Sequence, residues 1–133
     1  ILRKIVKNLI VDLDGTLTLD EKNIPYEDKK PNLALIKQLQ KYQKIGFKIT
    51  IFTSRSMRSF NNDIEKIKTH TYPKILQWLK KHQVPFDELI VGKAWCGDEG
   101  FYVDDRAIRP SEFVTLSYEE IQKLLAKESS QCS

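Results

Sequence analysis

The sequence predicts an α/β domain with a doubly wound, mainly parallel sheet. Short apolar runs alternate along the chain with segments of helical periodicity, which is the pattern of repeated strand–helix units. Polar side chains follow each apolar run, as expected where parallel strands end at one edge of a sheet. The chain has 133 residues and 41% of them are hydrophobic. We therefore expect one domain over residues 1–133, with 129–133 as a frayed tail.

The first half of the chain predicts two strands with a helix between them. The run Asn8–Val11 is uninterrupted, which is typical of a strand buried on both faces. Residues 20–30 are polar and predict a loop or a small flap. Apolar residues at helical spacing after Pro31 predict a helix that Gly46 ends. Residues 47–52 then predict the second strand.

The second half predicts two helices and two further strands. Residues 71–82 carry apolar side chains at helical spacing. Residues 89–91 and 101–103 predict the third and fourth strands. Ser117, with a glutamate three residues later, forms a capping box that begins the last helix. For residues 56–69 the pattern leaves loop, helix or a mixture of both open.

Net charge, the length of apolar runs and the spacing of the cysteines bear on the partners of the protein and on its cellular compartment. A formal net charge of +4 does not by itself indicate nucleic acid or an anionic membrane, so we expect neither as a partner. No apolar run approaches the roughly 18–20 residues that span a bilayer. Cys96 and Cys132 have no Cys-x-x-Cys spacing. We expect two free thiols in a reducing cytoplasm rather than a disulfide or a zinc site.

The first strand is followed by Asp12-Leu13-Asp14-Gly15. In an extended backbone alternate side chains share one side, so the two carboxylates point the same way while Leu13 points into the core. Gly15 allows a sharp turn directly afterwards. This segment predicts a pair of carboxylates at the end of the strand.

Each of the other predicted strands also ends in polar residues. The second ends in Thr53-Ser54-Arg55, the third is followed by Lys93, and the fourth by Asp104 and Asp105. Four carboxylates at one edge of a sheet would repel each other without a cation, and Mg²⁺ with a phosphate oxygen and waters meets that need. A carboxylate nucleophile, a second carboxylate for proton transfer and a lysine are the parts that phosphoryl transfer requires.

These four motifs, in this order, resemble the haloacid dehalogenase superfamily of phosphohydrolases. The resemblance implies that Asp12 is the nucleophile that becomes an aspartyl-phosphate and that Asp14 is the general acid/base. It also implies that Thr53 and Lys93 hold the phosphoryl group. An aspartate two positions after the nucleophile favours phosphatases over the transport ATPases of the superfamily, which carry threonine there. The proline often found after the lysine is Ala94 here.

The same resemblance implies the metal ligands. Mg²⁺ would be bound by Asp12, by the backbone carbonyl of Asp14 and directly by Asp104. Asp105 would bind it through water or orient Lys93. Mg²⁺ is therefore the expected cofactor.

A longer stretch is similar to one bacterial subgroup, the capsule-polysaccharide biosynthesis phosphatases. The similarity is carried by residues 80–88 and 91–97 within 70–113, and it extends from about Lys7 to Lys123. It implies a phosphorylated sugar or a nucleotide-sugar-linked intermediate as substrate.

The spacing of the motifs predicts a protein without a cap domain. Thr16–Pro31 is long enough for a flap only, and a strand and a helix fill much of the interval from Thr53 to Lys93. An open site leaves exclusion of water to a large substrate, to closure of the flap or to a homo-oligomer. Ser54, Arg55 and Arg109 are candidate substrate-binding residues, because arginine forks suit phosphate and carboxylate groups.

Several assignments stay open at this point. Arg109 is as well suited to a structural pair with Asp105 or Glu112. Trp95 is placed to stack on a sugar or base, or to anchor its own loop. The roles of Arg58 and His70 depend on the open segment 56–69.

Three other functions use related residues. A receiver domain also has an acidic cluster, a threonine and a lysine, but its lysine follows the last strand, whereas Lys93 here precedes Asp104 and Asp105. A metal-dependent glycosyltransferase would not need that arrangement. A nucleic-acid end phosphatase would use the same chemistry on a different partner, and its binding would depend steeply on salt.

Overall fold

A computed structural model describes residues 4–131 of the chain. These residues form two compact units, one within Ile1–Trp95 and the other within Cys96–Ser133. The expectation of one domain over residues 1–133 stays a prediction beside this division.

The first unit is a parallel sheet with helices in the connections. Its elements are β1 (Asn8–Val11), α1 (Leu33–Lys44), β2 (Lys48–Thr53), α2 (Ile64–His70), α3 (Tyr72–Lys81) and β3 (Glu88–Val91). The strand order is β1-β2-β3, and both pairings are parallel. Ile51 pairs with Val11 on one side and Leu89 on the other. The predicted α/β class and parallel sheet are confirmed.

Helix α1 shows how local sequence signals and packing agree. The Asn32 side chain caps its first turn by accepting a hydrogen bond from the Leu35 N–H at 3.3 Å. Four side chains on one face of the helix are buried: Leu35, Ile36, Leu39 and Tyr42. Gly46 follows the helix with a φ of 97°, in the left-handed region that a C-terminal glycine supplies. The predicted helix and its end are confirmed.

The expectation that the first strand is buried on both faces is wrong. Along β1, exposed and half-buried residues alternate, and Ile10 is 62% exposed. The strand lies at an edge of the sheet. Its apolar composition therefore reflects β-propensity and covering of one face only.

Residues 56–69, for which the sequence left loop and helix open, contain both turns and a helix. Residues 55–62 form turns, with Ser56, Asn61 and Asn62 at positive φ. Helix α2 then begins after Asp63, whose side chain accepts a hydrogen bond from the Lys66 N–H at 3.2 Å. Asparagine tolerates the left-handed region better than most residues, which explains the turn.

Residues 20–30, called the flap from here on, contain a short 3-10 helix, Tyr26–Asp28. The flap is closed at its base by the hydrogen bond from Leu19 N–H to Lys30 O at 2.8 Å. The Trp78 indole N–H of α3 donates to Lys29 O at 2.9 Å. Neither residues 16–31 nor residues 53–93 hold an inserted domain, so the expectation of a capless protein is confirmed.

The second unit contains two helices, α4 (Pro110–Thr115) and α5 (Tyr118–Gln131). Sequence did not predict α4. The capping box before α5 is confirmed, because Ser117 Oγ accepts from the Glu120 N–H at 3.1 Å and Glu120 Oε1 accepts from the Ser117 N–H at 2.9 Å. Helix α5 continues into the predicted tail as far as Gln131. Residues 132 and 133 lie outside the described residues.

The predicted fourth strand over residues 101–103 is wrong for this structure. These residues form no strand, and Phe101 and Val103 are 79% and 89% exposed. A strand needs a neighbour to satisfy its backbone groups. The described residues of the second unit include no other strand, so aromatic and β-branched composition alone does not produce one.

Truncating Leu39 tests the core of the first unit. Leu39 is fully buried on α1, whereas Leu33 on the same helix is exposed. We expect Leu39→Ala to lower the free energy of unfolding by about 2–5 kcal/mol through lost burial and a cavity. Leu33→Ala is the matched control and should change it by less than about 0.5 kcal/mol. Equal losses in urea denaturation would contradict the assigned core.

Candidate active site

The end of β1 presents two carboxylates on one side of the chain. Leu13 is fully buried, while the side chains of Asp12 and Asp14 are 33% and 29% exposed. The backbone then turns tightly, because the N–H groups of Leu17 and Thr18 both donate to Leu13 O, at 2.8 and 3.0 Å. Gly15, at a φ of 78°, provides the positive φ that this turn needs. The predicted alternation is confirmed.

Asp12 has a cationic and a neutral neighbour. Lys93 Nζ lies 3.4 Å from Asp12 Oδ1, and Thr16 Oγ1 donates to Asp12 Oδ2 at 3.1 Å. The Lys93 side chain is 21% exposed. The lysine therefore brings a positive charge beside a carboxylate that solvent and ligands still reach.

The route of the chain after β3 explains how Lys93 reaches Asp12. Gly92 has a φ of 92°, which turns the backbone directly after the strand. The Lys93 N–H donates to Thr53 O at 3.1 Å, so the last hydrogen bond between β2 and β3 ties the two motifs together. A Cβ on Gly92 would also lie 2.8 Å from Ile64 Cδ1 of α2. Both observations favour glycine at this position.

Thr53 is almost completely buried at the end of β2. Its Oγ1 accepts a hydrogen bond from the Arg55 N–H at 3.1 Å. A hydroxyl that accepts in this way keeps its own proton for donation. Ser54, between them, is half-buried.

Arg55 contacts Asp14 through both arms of its guanidinium fork. Its Nη2 lies 2.7 Å from Asp14 Oδ1 and its Nε lies 3.1 Å from Asp14 Oδ2. The Arg55 side chain is only 4% exposed. The fork of Arg55 thus points toward Asp14, and its role as a candidate substrate-binding residue stays a prediction.

Sequence reasoning missed two contacts at this edge of the sheet. Arg55 stands two positions after Thr53, so the alternation that pairs Asp12 with Asp14 was a usable signal for its direction. Thr16 lies four positions after Asp12, at the spacing of one tight turn. Neither signal identifies the partner without the strand order.

The acidic residues Asp104 and Asp105 belong to the second unit. Asp104 Oδ1 accepts from the Arg106 N–H at 2.8 Å, and Asp105 is exposed. The Arg109 N–H donates to Glu112 Oε1 at 2.9 Å at the start of α4. Among residues 4–131, no three His, Cys, Asp or Glu side chains are grouped so as to hold a metal ion. The predicted four-aspartate set therefore stays a proposal.

Arg58, Trp95 and His70, whose roles the sequence left open, each contact another side chain. The Arg58 guanidinium carbon lies 5.4 Å from the centre of the Trp95 ring, which is a cation–π contact. The His70 ring is 6.0 Å from that of Phe60. Cys96 forms no disulfide with any described residue, and Cys132 lies outside them.

Comparison with known proteins assigns the class. Residues 9–73 match the family described as haloacid dehalogenase-like hydrolase. The crystal structure of a protein from Vibrio cholerae is 52% identical, covers 92% of this chain and 99% of its own, and has a TM-score of 0.88. A structure of the Pnkp1/Rnl/Hen1 RNA repair complex is 16% identical over 95% of this chain and 32% of its own, with a TM-score of 0.49. No curated protein matches significantly.

The chain thus belongs to the haloacid dehalogenase-like hydrolases. Within that class, its similarity to the Vibrio cholerae protein extends over nearly the whole of both chains. No helix among residues 4–131 is long and apolar enough to cross a bilayer.

Proposed function

We propose that this hydrolase is a Mg²⁺-dependent phosphomonoesterase that acts through an aspartyl-phosphate on Asp12. The observation that carries the proposal is the placement of two carboxylates with different cationic partners. Asp12 lies 3.4 Å from Lys93 Nζ, and Asp14 lies in the fork of Arg55. One carboxylate is thus accessible beside an ammonium group, and the other is held in the fork of a guanidinium group.

This arrangement supports a two-step displacement. An Asp12 oxygen attacks phosphorus, the ester P–O bond breaks, and Asp14 gives a proton to the leaving alkoxide. Water then attacks the phosphorus of the aspartyl-phosphate and gives a proton to Asp14. Inorganic phosphate leaves and the Asp12 carboxylate is restored. Lys93 and the Thr53 hydroxyl stabilise the charge of the phosphoryl oxygens during both steps.

The oxygen atoms at the end of β1 suit a magnesium ion. Mg²⁺ is commonly bound by one or two carboxylates, with waters and substrate phosphate oxygens completing its shell. The Asp12 carboxylate and the Asp14 backbone carbonyl would hold it, and we propose Asp104 and Asp105 as further ligands. When bound, the metal supplies positive charge to the phosphoryl oxygens.

For the substrate we propose a phosphorylated sugar or a nucleotide-sugar-linked intermediate of surface polysaccharide synthesis. The support is the similarity of residues 80–88 and 91–97 to the capsule-polysaccharide phosphatases. A capless site also suits a substrate that is large enough to exclude water itself. We further propose a cytoplasmic location, which the free thiol of Cys96 supports. A homo-oligomer is the alternative way in which water could be excluded from the site.

Replacing the nucleophile tests the proposed reaction. We expect Asp12→Asn to lower phosphate release by about 10³-fold or more, because the amide cannot form the intermediate. The variant keeps side-chain size, so the fold should survive, as circular dichroism would show. Asp20→Asn, on the exposed flap, is the matched control and should keep wild-type turnover.

The assay uses sugar phosphates, nucleotide-sugar phosphoesters and oligonucleotide end-phosphates, with Mg²⁺ and after its removal by a chelator. We expect release to require the metal and to be fastest with sugar-linked esters. Metal-independent release, or wild-type rates in Asp12→Asn, would contradict the proposal. A preference for oligonucleotide end-phosphates would contradict the sugar-linked substrate and identify the enzyme as a nucleic-acid end phosphatase.

A pair of glycine variants tests the placement of Lys93. Gly92 and Gly46 both have a positive φ, of 92° and 97°. Alanine at Gly46 should therefore cost about 1–2 kcal/mol of unfolding free energy. Alanine at Gly92 should cost at least as much, because its Cβ would also lie 2.8 Å from Ile64 Cδ1. Only Gly92→Ala should also weaken inhibition by inorganic phosphate, because Gly92 precedes Lys93. Equal inhibition constants for the two variants would contradict a phosphate-binding role for Lys93.

A further inference from the structure

The flap reaches the active site through one aromatic contact. The Arg55 guanidinium carbon lies 4.2 Å from the centre of the Tyr26 ring, and Tyr26 belongs to the 3-10 helix of the flap. The same guanidinium is forked onto Asp14. Tyr26, Arg55 and Asp14 therefore form a continuous chain of contacts from the flap to the carboxylate that transfers protons.

Burial makes the Arg55 contacts directional. The Arg55 side chain is 4% exposed and that of Asp14 is 29% exposed. A buried guanidinium that lost its carboxylate would remain uncompensated, which is strongly unfavourable. A bidentate fork also fixes the plane of the carboxylate, which a single lysine contact would not do. Asp14 is thus held in one orientation.

The flap itself is anchored at the end that carries Tyr26. Trp78 of α3 donates to Lys29 O at 2.9 Å, and the Lys30 N–H donates to Glu21 Oε1 at 2.9 Å. Lys29 Nζ also lies 4.8 Å from the centre of the Tyr26 ring. These contacts hold the ring in place over Arg55.

We propose that Arg55 and Tyr26 are positioning residues for proton transfer by Asp14. Arg55 fixes the carboxylate, and Tyr26 makes that orientation depend on the flap being docked. A carboxylate has about four lone-pair sites, of which the fork uses two, so sites remain for the transferred proton. This inference rests on the proposed phosphatase function.

The inference predicts a dependence on the leaving group. An alkoxide leaving group needs a proton from Asp14 when the P–O bond breaks, whereas p-nitrophenolate is stable enough to leave without one. The value of kcat/KM reports formation of the aspartyl-phosphate, if that step is irreversible. Loss of positioning should therefore lower kcat/KM for an alkyl phosphate much more than for p-nitrophenyl phosphate.

The experiment measures kcat/KM for butyl phosphate and p-nitrophenyl phosphate in the full chain with Mg²⁺. In Arg55→Lys, the ratio of the alkyl to the aryl value should fall by about 100-fold, because misplaced acid catalysis forfeits most of its contribution. In Tyr26→Ala the ratio should fall about 5-fold, the value of one cation–π contact. Tyr26→Phe keeps the ring and should restore the ratio. Glu27→Ala, an exposed residue of the same 3-10 helix, is the control for the flap.

Equal losses with both esters in Arg55→Lys and Tyr26→Ala would show that these residues only support the fold, and would overturn the inference. A Tyr26→Phe variant as impaired as Tyr26→Ala would do the same for the ring contact. Either result with an active wild type and an inactive Asp12→Asn leaves the proposed function standing. Absence of release by the wild type from both esters and from the sugar-linked substrates would overturn the proposed function, and the inference with it.

Discussion

Parallel pairing of β1, β2 and β3 is the constraint on which the candidate site depends. Because the strands run in one direction, Asp12, Thr53 and Lys93 arrive at the same edge although they are far apart in sequence. Strand β2 is buried on both faces between its neighbours, and its pairing with β1 and β3 sets that register. The hydrogen bond from the Lys93 N–H to Thr53 O extends the ladder into the site. The parallel pairing of the strands therefore determines both the packing of the sheet and the position of the site residues.

The two carboxylates at this edge differ in their surroundings in a way that suits different tasks. Asp12 lies beside the ammonium of Lys93 at 3.4 Å, in a single contact with one of its oxygens. Asp14 lies in a planar, buried fork. A nucleophile must approach phosphorus, whereas a proton-transfer group must keep a fixed direction. The contacts thus support the same division of roles that the family resemblance implies.

Local signals predicted the elements whose structure is decided locally. The bounds of β1, the end of α1 at Gly46 and the capping box before α5 all follow from residues within a few positions. The Asn32 cap of α1 was not predicted. The proximity of Asp12 and Lys93 was predictable because parallel strands end at the same edge of a sheet. The prediction of a strand at residues 101–103 was wrong because a strand depends on a pairing partner distant in sequence, which local composition does not identify. The contact between Arg55 and Asp14 was not predicted, because it depends on packing of the turn after β2.

The most direct test of the account is to locate the phosphoryl group on the chain during turnover. Sodium borohydride reduces an acyl phosphate to an alcohol, which converts a phosphorylated aspartate to homoserine. Wild-type protein is mixed with substrate and Mg²⁺, quenched, reduced, and examined by peptide mass spectrometry. We predict homoserine at position 12, unchanged aspartate at positions 14 and 20, and no homoserine in Asp12→Asn. Turnover accompanied by modification at another residue, or by none, would contradict it.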